Sequence, residues 1–121
     1  MTTTPEHDRR MAQMTISTVF PLYVKKIERK GRTKKELLQV IEWLTGFDEP
    51  KLKRLIEQDS SFEEFFNQAT LHPNAHLIKG LICGYRIEEI QNELTRKVRY
   101  LDKLVDELAQ GKKMEKILRE S

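Results

Sequence analysis

Apolar residues in this chain recur every three or four positions, the period of a helix that buries one face, and no stretch alternates convincingly at period two. The longest such run lies between Arg86 and Gly111. There Ile87, Ile90, Leu94, Val98, Leu101, Val105 and Leu108 fall along one side until a glycine stops them. The pattern predicts a long amphipathic helix, and Asn92 marks where it would bend or restart. An earlier helix is predicted over 19–30, starting near Ser17 or Thr18 with Pro21 close to its first turn. It carries Phe20, Tyr23, Val24 and Ile27 along one side and ends at Gly31.

The punctuation between these runs is chemical. Thr33-Lys34-Lys35-Glu36 matches a capping box, so a second helix begins there, buries Leu37, Leu38, Val40, Ile41 and Leu44 with Trp43 at its border, and stops at Gly46. Asp48, Glu49 and Pro50 open a third helix with Leu52, Leu55 and Ile56 as its core residues, because proline is tolerated in a first turn and acidic groups suit the positive end of the helix dipole. Ser60 and Ser61, each followed three residues later by a glutamate, begin a short fourth helix carrying Phe62, Phe65 and Phe66. Pro73 and Asn74 begin a fifth that runs through Leu77, Ile78, Leu81 and Ile82 to Gly84, and a last turn or two covers 114–118. Residues 1–13 are polar and show no sustained pattern, so they read as a mobile or irregular N-terminal arm. The expected fold is all-α: a single bundle of five or six helices over 14–121, packed around the long C-terminal helix.

At 121 residues with 38% hydrophobic content, the chain suits one core and not two. Charged residues make up 34%, and no apolar run approaches the roughly 18–20 residues that cross a bilayer, so a soluble protein without membrane association is expected. The N-terminus lacks the features of a secretory signal and the single cysteine, Cys83, has no internal partner for a disulfide. Both features point to the cytoplasm.

Charge adds a second pattern. The formal net charge is only +3, with 22 basic against 19 acidic residues, but it is unevenly spread. Lys25, Lys26, Arg29, Lys30, Arg32, Lys34 and Lys35 crowd into one segment whose only acid is Glu28, and a looser group follows at Lys112, Lys113, Lys116 and Arg119. Helix, glycine turn, helix is also the outline of a helix-turn-helix, which would place Arg32 to Lys35 where cations and free amides suit phosphate. Nucleic acid is therefore a candidate ligand of segment 25–35. The second helix devotes most of its length to apolar residues, so such binding would be salt-sensitive and poorly sequence-specific. The plainer reading is that these side chains solvate a turn.

Several blocks in order, Val19-Phe20-Pro21-Leu22-Tyr23-Val24, Lys30-Gly31-Arg32-Thr33-Lys34, Trp43-Leu44-Thr45-Gly46, Cys83-Gly84, Arg99-Tyr100-Leu101-Asp102-Lys103-Leu104 and Met114-Glu115-Lys116-Ile117-Leu118, resemble the small bacterial family catalogued as domain of unknown function 2200. The resemblance covers nearly the whole chain apart from its N-terminal lead-in. It implies a bacterial, cytoplasmic, stand-alone protein and brings no activity, cofactor or catalytic residue.

Among chemically capable residues, His72 and His76 are four apart and Cys83 lies seven further on, so one helix face would gather three residues of zinc-ligating type. Against a small metal protein or enzyme built on them stands the simpler reading: two helix-end histidines and a thiol packed as a small hydrophobe. As a nucleophile, Cys83 is disfavoured by its expected place at a helix C-terminus. Of the paired carboxylates, only Asp102 and Asp106 share a helix face. Arg99, Lys103 and Glu107 surround them in the spacing of a solvated salt-bridge lattice. No cofactor is implied and no catalytic residue stands out. The leading expectation is a non-enzymatic binding or protein-interaction module, self-association included, with Trp43, Phe47, Tyr85 and Tyr100 as candidate aromatic anchors.

Overall fold

A computed structural model describes residues 3–120; Met1 and Thr2 of the predicted arm, and Ser121 at the end of the predicted helical domain, lie outside the described residues. Among the described residues the fold is all-α, seven helices with one very small hairpin, and its centre is the long helix α6, Glu93–Ala109. Asn92 caps α6 by accepting from the Thr95 amide at 2.9 Å. The restart that the sequence allowed at this position is therefore real, and Ile87–Glu89 upstream form a separate 3-10 turn.

Around α6 pack α1 (Pro5–Gln13), α2 (Ile16–Glu28), α3 (Lys34–Thr45), α5 (Phe62–Gln68) and α7 (Met114–Ile117), while α4 (Glu49–Glu57) rests on α2. The boundaries follow from local chemistry. Thr33 and Ser61 close capping boxes with Glu36 and Glu64, and Asp48 caps α4 with Pro50 in the first turn. Gly46 ends α3 at φ 80°, a left-handed conformation that favours a residue without a Cβ. The last carbonyls of α3 are not left bare: Thr45 accepts from the Thr70 amide and Leu44 from the His72 amide. The core joins Ile16, Ile27, Leu37, Ile41, Leu44, Leu55 and Phe65 to Leu101, Leu104 and Leu108 of α6, all fully buried. Each such side chain contributes about 1.5–3 kcal/mol by leaving water. Phe62, Phe65 and Phe66 pack edge-to-face and stacked beneath Phe47.

Two regions depart from the periodicity. Residues 5–13, read as an arm, form α1: Thr4 caps it by accepting from the His7 amide and Met11 is buried against the bundle. Its mean polarity hides the helix because only one narrow stripe touches the core. The predicted fifth helix over 73–84 is absent. Ala75–Leu77 make a single 3-10 turn, and β1 (Leu81–Ile82) pairs antiparallel with β2 (Tyr85–Arg86), with Leu81 opposite Arg86 and Ile82 opposite Tyr85. Cys83 and Gly84, at φ 50° and 83°, form the two-residue turn between them. Two consecutive left-handed residues match the twist of a tight hairpin, and the glycine read as a helix stop is half of that turn.

A cysteine is a poor choice for the first position of such a turn, where asparagine is favoured. Cys83→Asn should stabilise the fold by about 0.5–1 kcal/mol, part of the roughly 1–2 kcal/mol that the left-handed region costs an ordinary L-residue. Urea denaturation of the two proteins measures the difference; a lower midpoint for the asparagine variant would contradict this account of the hairpin.

Candidate nucleic-acid interface

The turn between α2 and α3 is closed by its own backbone: Gly31, at φ 79°, lets the Arg32 amide reach the Ile27 carbonyl at 3.0 Å. This turns the Arg32 side chain inward. Its Nη1 donates to the Leu108 and Lys112 carbonyls at 3.2 and 2.6 Å, and Nε and Nη2 both donate to Glu36 Oε2, at 3.0 and 2.7 Å. One guanidinium thus caps the C-terminus of α6, where cations are favoured, and ties it to the first turn of α3. The Arg32 hydrogen bonds, followed by the Thr33 amide, hold the Glu36 carboxyl below its ordinary range.

The same contact brings together two basic groups that are far apart in sequence. Lys112, Lys113 and Lys116 line an open depression of about 480 Å³ beside Gly111, next to the carbonyls that Arg32 grips. The seven cations of 25–35 divide into two sets. Arg32 is committed to the fold, Lys26 pairs with Asp106 at 3.3 Å, and Lys34 lies 5.8 Å from the Phe20 ring centre. Lys25, Arg29, Lys30 and Lys35 are exposed and have no partner among the described residues. In the second group, Arg119 is bound by Glu107 at 2.6 and 2.8 Å and Lys112 lies 3.5 Å from the same carboxylate, leaving Lys113 and Lys116 open. On α3 the exposed side chains are Lys34, Lys35, Gln39 and Glu42; the lysines can contact phosphate, but Lys34 already lies over Phe20 and Glu42 repels phosphate.

The third group of candidates is not gathered as its spacing implied. His72, His76 and Cys83 lie on a loop, a 3-10 turn and a hairpin tip, so no shared helix face exists. The His72 ring stacks on Trp43 at 4.1 Å and its Nδ1 accepts from the Asn74 amide. His76 Nδ1 sits 2.9 Å from the Pro73 carbonyl, and Cys83 is exposed. Among the described residues, no group of three His, Cys, Asp or Glu side chains is placed to hold a metal ion. No helix ends at Cys83, so the helix dipole that disfavoured it as a nucleophile does not act there.

Sequence reasoning missed a buried polar network. Arg99 and Asp102, read as part of a solvated lattice, pair at 2.9 Å beneath α1 and α2, and Arg99 is only 8% exposed. The Tyr23 hydroxyl donates to Asp102 at 2.5 Å; the Tyr85 ring lies 5.7 Å from both the Arg99 guanidinium carbon and the His7 ring. Nearby on α1, Asp8 accepts from Thr95 at 2.7 Å. Burial first, then the Asp102 charge and hydrogen bond, push the Tyr23 phenol well above its ordinary value. Tyr23 sits 79 positions from its acceptor. The only advance signal was that Arg99 and Asp102 adjoin the apolar stripe of a helix long enough to be covered on several sides.

Comparison with known proteins places the chain in a family: residues 10–119 match the profile of the bacterial family described as uncharacterized protein conserved in bacteria, domain of unknown function 2200, and the chain belongs to it. A solved structure, titled the crystal structure of uncharacterized protein SP1917, is 38% identical, covers 91% of this chain and 91% of its own, and superposes with a TM-score of 0.85. None of the curated proteins matches.

Two expectations test this geometry. Arg32→Ala should cost about 1–3 kcal/mol, because helix carbonyls and a carboxylate lose their donor together. Arg32→Lys should recover little of it, since one ammonium cannot span the same acceptors; equal stability of the lysine variant would refute the capping role. Tyr23→Phe should cost about 1.5–3 kcal/mol at neutral pH by removing a hydrogen bond to a charged acceptor. A raised phenol pKa stabilises the fold fully below the unfolded value near 10, and that contribution is lost as pH climbs towards the folded value. Wild-type stability should therefore fall steeply above about pH 10, and the phenylalanine variant should fall less steeply in the same alkaline titration.

Proposed function

We propose that this protein is a non-enzymatic cytoplasmic binding module whose ligand is nucleic acid, held through its phosphates. The observation that carries the reading is the Arg32–Lys112 contact, which makes one cationic surface from the α2–α3 turn and the α6–α7 turn. Exposed Lys25, Arg29, Lys30 and Lys35 on one side, and Lys113 and Lys116 on the other, have no ion-pair partner among the described residues. Unpaired cations around a depression raise the local potential and attract a polyanion. Of the four exposed side chains of α3, Lys34 already lies over Phe20 and Glu42 repels phosphate, which favours backbone contact over sequence reading. An exposed single thiol is compatible with a reducing compartment. No helix among the described residues is long and apolar enough to cross a membrane.

The test is binding of the purified protein to fluorescent duplex DNA and to RNA across a salt series, beside a variant carrying Arg29→Glu, Lys30→Glu, Lys113→Glu and Lys116→Glu. Arg32 stays in place because its removal would unseat α6. The affinity should fall linearly on a logarithmic salt axis, with a slope of about −0.9 for each duplex phosphate neutralised. The folded variant should bind at least tenfold more weakly, by about 1.4 kcal/mol or more. Absence of binding by the wild-type protein at low salt, or an unaffected variant, would reject the proposal.

A further inference from the structure

α3 and α4 both pack on α2, and above Phe20 they part to leave a cleft of about 430 Å³. Phe20, Leu38 and Ile56 form its apolar floor, and Lys34, Glu49, Lys53 and Glu57 stand around it. Along α3 the cleft runs on into a shallower depression of about 290 Å³, which shares Leu38 and Glu49 and adds Lys35, Gln39 and Glu42. The two together form a groove that follows α4, a helix of nine residues and therefore about 13 Å long. That length matches two helical turns of a partner and two apolar anchors spaced four residues apart.

The charges around the groove are unpaired and polarised. Apart from Lys34, which lies over Phe20, none of the rim charges has a partner among the described residues. At the end formed by the start of α3 and the end of α4, Lys34 and Lys35, with Lys53 midway along α4, outweigh Glu57; at the other stand Glu42 and Glu49. We propose that this groove binds an amphipathic helix of a partner protein, with an acidic first turn against Lys34 and Lys53, aliphatic anchors over Phe20, Leu38 and Ile56, and a basic last turn against Glu42 and Glu49. Acid-first, base-last is also the order that a helix's own dipole favours, so such a partner is already stable in the orientation that the groove selects. This site lies apart from the lysine depression, with Lys35 alone shared between its rim and the cationic surface: it recognises protein, with apolar contact for affinity and charge order for direction.

The probe is a pair of designed helical peptides with the same two leucines four positions apart, one with glutamates in its first turn and lysines in its last, the other with the order reversed. Titrated into the isotopically labelled full-length protein and followed by NMR, the acid-first peptide should shift the amides of Phe20, Leu38 and Ile56 saturably and bind at least fivefold more tightly than the reversed one. Leu38→Glu, at a partly exposed position, should abolish this binding. The triple variant Lys35→Glu and Lys53→Glu with Glu42→Lys, which inverts the groove's polarity, should prefer the reversed peptide. That swap of preference is a gain of binding that an unfolded variant could not produce. No saturable shift with either peptide, equal affinity for both, shifts centred elsewhere, or closure of the groove by self-association in the absence of peptide would each overturn the proposal.

Discussion

A helix covered on most of its circumference cannot leave every charge in water, and α6 carries three charged side chains close to or within the core. A buried ion without a partner costs several kcal/mol, and removing one member of a buried pair typically costs about 3–5 kcal/mol. Each of these three charges therefore dictates what must lie beside it. Glu107, 2% exposed, requires Arg119 and so fixes the segment after α7. Arg99 and Asp102 require each other and the Tyr23 hydroxyl, with Tyr85 of the hairpin laid over the guanidinium, and so fix α2 and the hairpin. The bare carbonyls at the end of α6 require Arg32 and so fix the α2–α3 turn. Apolar burial supplies most of the stability; these pairings determine which surfaces meet.

The same pairings decide what remains for a ligand. Counted along the chain, segment 25–35 offers seven cations, but those that the fold consumes do not contribute equally to the outer field. Arg32 faces four acceptor contacts inside, and Lys26 is neutralised by Asp106. What is left unpaired lies on two turns and the helix ends beside them, which the chain separates and Arg32 joins. The cationic surface is thus a by-product of capping a helix, and a substitution at the cap would disturb both at once.

Legibility in the sequence followed the range of the interaction. The starts of α3 and α5, the stop at Gly46 and the restart at Asn92 were readable because each is decided by atoms within a few residues: Thr33 with Glu36, Ser61 with Glu64, Asn92 with Thr95. The hairpin at Cys83-Gly84 was not, because two-residue strands are too short to show alternation and a glycine serves equally as a helix stop or as half of a turn. α1 was hidden by its polarity, and its placement depends on Asp8 meeting Thr95, 87 positions away. The basic segment was visible as composition; that Arg32 points inward and the others outward was not, since this depends on where α6 ends. The groove between α3 and α4 was wholly illegible, because its floor comes from three helices and its polarity from residues that in sequence look like ordinary solvated charge.

The direction of the perturbed titrations bears on the kind of chemistry that this fold supports. Acid–base catalysis needs a group poised near the working pH, which requires carboxyls raised towards neutrality or phenols and amines brought down to it. Here the displacements run the other way. Tyr23 is driven further towards permanent protonation by burial and by Asp102, while Glu36 and Glu88 are driven further towards permanent ionisation by Arg32 and by the Gly80 amide. Groups locked in their neutral-pH states are suited to holding a structure and presenting a fixed pattern of charge. On the reading proposed above, the unpaired lysines around one depression and the ordered set of opposite charges around an apolar groove act through the same fixed charge and shape.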